Sequence, residues 1–182
     1  MIRAIGFVEF TSIARGIEAA DAMVKAAHVE LLEAKPTCCG KYLVMVCGEV
    51  AAVQSATDAG RSIGADAVID DFVLPNVHPS VVEAIRGVTP VAGIQSLGVI
   101  EAFSVASLIV AADTAAKAAA VDIIEIRCGT GIGGKSFVTL TGDVSAVAAA
   151  VETGAAGAAA KGMLVDKVVI PSPHASLKQC LI

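Results

Sequence analysis

Two stretches of this chain concentrate the side chains that could do chemistry. Lys35-Pro36-Thr37-Cys38-Cys39-Gly40-Lys41 offers adjacent thiols, and Arg127-Cys128-Gly129-Thr130-Gly131-Ile132-Gly133-Gly134-Lys135 offers mostly backbone. Two neighbouring cysteines in a Pro-Thr-Cys-Cys-Gly turn cannot both face one core. They are either incidental thiols or metal ligands. No C-x-x-C occurs, and a zinc site within one chain would need ligands from distant parts. Cys47 alternates into a strand and reads as a small core residue; Cys180 receives no role.

The second stretch continues into Ser136 and matches the nucleotide-binding pattern G-x-x-x-x-G-K-[ST] letter for letter. That pattern works when a helix starts at its lysine and directs backbone N–H groups and a dipole at phosphate. Here Ser136 to Thr141 is β-branched, alternating and stopped by Gly142, which predicts a strand. The expected role of the glycines is to let backbones crowd together around an assembly axis. Glu9 and Glu101 end matching strands, but no nucleophile or positioned partner accompanies them, so surface or hydrogen-bonding roles are expected rather than acid–base work. Lys25 and Lys117 stand at equivalent helix ends, where a lysine favours the dipole. His78 and His174 precede equivalent short helices, with nothing to make either catalytic.

The equivalences come from an internal duplication. Ala4 to Glu9 aligns with Ser96 to Glu101 at an offset of 92, as do Ser12 with Ser104, Asp21 with Asp113 and Lys25 with Lys117. The offset becomes 94 at Gly40-Lys41 against Gly134-Lys135, and 96 at Pro75 and His78 against Pro171 and His174. In the first copy, Ile2 to Phe10 reads as a strand, and Ser12 can cap the helix that follows. That helix carries Ile13, Ile17, Ala20, Val24 and Ala27 on one face. Strands follow at His28 to Ala34 and Lys41 to Cys47, a helix at Val50 to Ile63, and a strand at Ala67 to Leu74. A short helix starts after Pro79. The predicted fold class is α/β (α+β), two tandem ferredoxin-like β-α-β-β-α-β domains over residues 1–90 and 91–182. Each has a four-stranded antiparallel sheet with both helices on one face. The other face is left to solvent, the short helix or a partner.

Composition excludes several functions. The chain has 182 residues, 55% of them apolar, enough for buried cores. Its longest uncharged run, Gly87 to Ile100, is short of a membrane span and is broken by Pro90. Glu9 inside the first strand argues against a secretory signal, and five cysteines argue against a disulfide framework, so a cytosolic chain is expected. A net charge of −5, one tyrosine and no tryptophan argue against nucleic-acid binding.

Gly6-Phe7-Val8-Glu9, Asp21 to Ala27, Gly48 to Val53 and Pro75-Asn76-Val77-His78 resemble a bacterial microcompartment shell domain, and the second copy repeats them at Gly98 to Glu101, Asp113 to Ala120, Gly142 to Val147 and Pro171 to His174. The likeness covers essentially the whole chain. Two fused copies imply the tandem-domain class, whose trimers mimic hexagonal tiles. Within it, Cys38 and the Gly131 to Lys135 loop look most like the type found in propanediol-utilisation shells. The resemblance implies a structural subunit of a shell in the bacterial cytoplasm and not an enzyme, a homotrimer beside other shell proteins, and redox enzymes enclosed as partners. It also implies one [4Fe–4S] cluster per trimer, held on the threefold axis by Cys38 of each subunit for electron transfer across the shell. Thr37, Cys39, Gly131, Ile132 and Gly133 would line the central opening, and Lys25, Lys117, His78 and His174 the assembly edges. The family often has Pro-Arg-Pro-His where this chain has Pro75-Asn76-Val77-His78 and Pro171-Ser172-Pro173-His174, so its edge contact is made differently. A metal-free subunit whose pore passes small metabolites or cofactors is the alternative. A regulatory protein of ferredoxin-like fold is a third.

Overall fold

A computed structural model describes residues 2–181. The chain forms two compact units: residues up to Val77 together with Thr130–Gly134, and His78–Gly129 together with the chain from Lys135 onward.

The first unit runs β1 (Ala4–Phe10), α1 (Ile13–Ala26), β2 (Glu30–Thr37), β3 (Lys41–Gly48), α2 (Val50–Gly64) and β4 (Val68–Pro75). Its sheet order is β2-β3-β1-β4, with antiparallel neighbours throughout. Ser12 caps α1 as its sequence position predicts, its hydroxyl accepting the Arg15 N–H at 3.3 Å. Ala4, Val8 and Phe10 of β1 meet Ala19, Ala20 and Met23 of α1 and Val53 and Ala56 of α2 in one core. The opposite face of β1 is not left to solvent. Ile5 and Phe7 are fully buried there, and Phe7 stacks on its cross-strand partner Phe72 with centroids 5.2 Å apart. Both faces of β1 are apolar, as in a strand covered on both sides.

Two details depart from the expected pattern. β2 continues through Pro36 to Thr37 instead of ending at Ala34. Proline cannot donate to a ladder, but β2 is an edge strand, so Pro36 costs no pairing on its open side. On α1, the residues buried against the sheet are Gly16, Ala19, Ala20 and Met23, whereas Ile13, Ile17 and Val24 are exposed. The apolar stripe read from the sequence is mostly not the face turned to the core.

The second unit begins with α3 (Pro79–Ile85) and continues as β5 (Ser96–Ala102), α4 (Val105–Ala118), β6 (Val121–Cys128), β7 (Ser136–Gly142), α5 (Val144–Ala160), β8 (Leu164–Ile170) and α6 (Ala175–Lys178). Its sheet order, β6-β7-β5-β8, repeats the first. The sequence reading drew its boundary after residue 90, whereas the units part after Val77. The cause is packing: α3 buries Val81, Val82 and Ile85 and lies on β6 and α4, and the Thr89 hydroxyl donates to the Ile124 carbonyl at 2.7 Å. Each copy is thus a β-α-β-β-α-β fold of the ferredoxin-like type.

Candidate functional site

The chain between β2 and β3 is a single 3₁₀ turn, Cys38–Gly40, and its geometry is set by backbone conformation. Cys39 takes φ +66° and Gly40 φ +74°. The left-handed region suits glycine and is strained for cysteine. Cys39 is exposed and Cys38 half-buried. Thr37 is buried at the end of β2, and its Oγ1 has no hydrogen-bond partner among the described residues.

Thr130–Gly134, the tip of the β6–β7 loop, belongs to the same compact unit as this turn. Gly131, Gly133 and Gly134 all have positive φ, between +68° and +80°. A Cβ added to any of them would meet nothing within 4 Å. Within one chain the glycines serve backbone conformation. The result is a run of backbone N–H groups turned to one atom, as in anion-binding nests. Cys38 Sγ accepts the Gly131 N–H at 3.0 Å. The N–H of Gly134, with those of Ile132, Gly131 and Gly133, holds the Cys38 thiol below its ordinary pKa against an opposing push from desolvation. The cradle thus favours the thiolate of Cys38, the form that binds metal.

Each loop is flanked by a repeated ion pair. Lys41 Nζ lies 3.4 Å from Glu9, and Lys135 Nζ 2.6 Å from Glu101. The second pair ends the nucleotide-loop reading. Lys135 is committed to a carboxylate and leads into a strand, as its sequence predicts, and the Ser136 hydroxyl is buried, donating to the Ser104 carbonyl at 3.1 Å. Neither group is offered to a phosphate.

The remaining singled-out residues take partners away from the Cys38 turn. Lys25 pairs with Asp21 at 2.6 Å and Lys117 with Asp113 at 2.5 Å, one turn back on their helices. His78 and His174 cap α3 and α6, each accepting through Nδ1 the N–H two residues on, from Ser80 and Ser176. The His78 N–H donates to Asp113 Oδ1 at 2.7 Å. Among the described residues no cluster of three or more His, Cys, Asp or Glu side chains could hold a metal. No helix among them is long and apolar enough to cross a membrane. Sequence reasoning singled out Cys38 and the glycine loop separately and missed that one cradles the other. The available signal was the Gly-x-Gly-Gly spacing.

The BMC domain family matches residues 4–77 and 96–173, once per copy. The chain is 48% identical over 177 residues to bacterial microcompartment shell protein PduT of Citrobacter freundii, covering 97% of this chain and 96% of that one. It is 42% identical over 82 residues to shell protein PduA of the same organism, covering 43% of this chain and 86% of that one. Among solved structures, a microcompartments protein from Desulfitobacterium hafniense DCB superimposes with a TM-score of 0.96 at 64% identity, covering 99% of this chain and 100% of that one.

Proposed function

The chain belongs to the BMC domain family, and from that premise we propose that it is a structural shell subunit of a bacterial microcompartment, of the PduT type, forming a homotrimer with an iron–sulfur cluster at its centre. It is not an enzyme. Two similar domains in each of three subunits give six near-equivalent positions, the arrangement with which a trimer can tile among hexagonal shell proteins. Its place is the shell, in the bacterial cytoplasm, beside other shell proteins and facing redox enzymes within.

The observation that carries the cluster is the Cys38 sulfur in its cradle of backbone N–H groups. Iron–sulfur clusters are bound by thiolates, and hydrogen bonds to sulfur tune their potential. Cys38 meets both requirements, at a half-buried position in a turn. The donor set fits on one condition: each chain contributes one cradled thiolate, so several chains must converge. A threefold axis supplies three equivalent copies of Cys38, matching the threefold axis through a cubane corner. Cys39, in strained left-handed backbone and without such a cradle, is the weaker donor. When bound, the cluster supplies one-electron transfer across the shell. The residues' own work is to favour the thiolate form of Cys38 and to orient it, with the backbone N–H groups of Gly131, Ile132, Gly133 and Gly134 around it. Such a centre would block the opening to metabolites.

Sedimentation velocity on anaerobically reconstituted protein tests this reading. A brown trimer is expected. A monomer at micromolar concentration would overturn the assembly. A trimer that stays colourless would overturn the cluster and favour the metal-free pore.

A further inference from the structure

The five thiols of this chain are free, and they are not alike. Cys47 and Cys128 are buried. Cys180 is exposed near the end of the chain, its sulfur donating to the Ser176 carbonyl at 3.5 Å. Cys38 and Cys39 are the only adjacent pair in the sequence, and they share one turn, Cys38 half-buried and Cys39 exposed. A ligand role for Cys38 leaves the second thiol of that turn without a use.

The surroundings of the two sulfurs differ in the way a stepwise oxidation requires. Cys38 Sγ accepts the Gly131 N–H at 3.0 Å, and the N–H groups of Ile132, Gly133 and Gly134 lie around the same atom. Donors of this kind stabilise negative charge on sulfur, and Cys39 has no such cradle. A redox-sensitive cysteine combines thiolate character with exposure and a neighbouring thiol that can resolve it. The turn is also open. A Cβ added at Gly40 would meet nothing within 4 Å, which leaves space beside the two sulfurs for a small oxidant.

We propose that the Cys38–Cys39 turn is a modification site for hydroperoxides, in which Cys38 is oxidised and Cys39 resolves it into a disulfide within the turn. In the first step the Cys38 thiolate attacks one oxygen of the hydroperoxide. An S–O bond forms and the O–O bond breaks. The sulfur gives up two electrons and becomes a sulfenic acid, and the other oxygen leaves as alkoxide or hydroxide and takes a proton from water. In the second step the Cys39 sulfur, losing its proton, attacks the Cys38 sulfur. The S–S bond forms, the S–O bond breaks, and hydroxide leaves with that proton as water. Adjacent Cα atoms are about 3.8 Å apart, below the roughly 4.4–6.8 Å of ordinary disulfides, so the bond is strained and easily reduced. Under the proposed function the chain works in a reducing cytoplasm, where disulfides are transient and redox-sensing. The inference concerns the iron-free turn and does not depend on the cluster. Its one link to that reading is that a Cys38 sulfur held in a disulfide is withdrawn from iron.

The test treats the full chain, reduced and freed of iron, with stoichiometric hydrogen peroxide. Titration in denaturant should show two of the five thiols lost, and dithiothreitol should restore them. Mass spectrometry of the unreduced digest should place the loss of two hydrogens on the peptide that carries both Cys38 and Cys39. Cys39→Ser should stop at a sulfenic acid on Cys38, trapped by dimedone, and Cys38→Ser should keep Cys39 reduced at the same dose. A covalent dimer on a non-reducing gel, a sulfinic acid on Cys38 of the parent, or oxidation falling first on Cys180 would overturn the inference. Iron uptake separates it from the cluster reading. The oxidised parent should take up no iron until it is reduced. A cluster assembled on chains whose Cys38–Cys39 disulfide is intact would overturn Cys38 as the ligand and leave this inference standing. A parent that binds a cluster when reduced and never forms the disulfide would do the reverse.

Discussion

A thiol that meets a run of backbone N–H groups should declare itself in its reactivity. In the iron-free protein, alkylation of Cys38 followed by mass spectrometry against pH should titrate below the roughly 8.5 of an ordinary cysteine. Gly134→Ala, which strains the φ +80° backbone and disturbs the leading donor, should move that titration upward. An unshifted profile in the parent would contradict the cradle. Glu9 is a second residue with a definite sign. Burial raises its carboxyl pKa, the Lys41 charge draws it back, and Asp70 adds to the rise. A carboxyl whose folded pKa exceeds its unfolded value costs stability when ionised; the cost is complete above the folded pKa and vanishes below the unfolded one. Glu9→Gln should therefore raise the melting temperature at pH 7, and the gain should fade as pH falls through the carboxylate range. A gain that persists at low pH would mean the cause lies elsewhere. Cys38 could be singled out from sequence because adjacent thiols in a turn are unusual. Its cradle could not, because the donors come from a loop about ninety residues away.

Elements were the most legible level, and the exceptions are physical. The alternating strands, the Ser12 cap and the strand after Lys135 follow from local pattern. Pro36 misled because a proline ends most strands but is tolerated on an edge. The stripe Ile13, Ile17, Val24 misled because periodicity identifies an apolar helix face without saying what covers it. On α1 the core side is made of small residues, and the large ones look outward. The glycine loop gives the prediction at this scale. Gly131→Ala and Gly133→Ala meet no steric obstacle, so each should cost only the left-handed strain, about 1 kcal/mol, read as a shift in denaturant midpoint. A loss several times larger would mean that the loop is crowded by something else. The accidental nucleotide motif is tested by adding ATP. A true ligand at 100 times its dissociation constant adds about 2.7 kcal/mol, and this protein should show no thermal shift. A shift abolished by Lys135→Ala would contradict the Lys135–Glu101 pairing as that lysine's role.

For the whole molecule, duplication was written plainly in the sequence, and the units' boundary was not. Offsets of 92, 94 and 96 locate equivalent residues. They cannot reveal that α3, the end of the first copy by sequence, packs with the second unit. That arrangement leaves one chain with a covered face, Val105, Ile109 and Ile123, and its bare twin, Ile13, Ile17 and Leu31. Under the proposed function a cluster would belong to the assembly, since one chain offers a single cradled thiolate. The most direct test of the central claim is iron content per trimer after anaerobic reconstitution of the parent, Cys38→Ser and Cys39→Ser. A [4Fe–4S] centre held by Cys38 from each subunit predicts about four irons per trimer in the parent and in Cys39→Ser, and none retained in Cys38→Ser. A full complement of iron in Cys38→Ser trimers, or none in the parent, would contradict it.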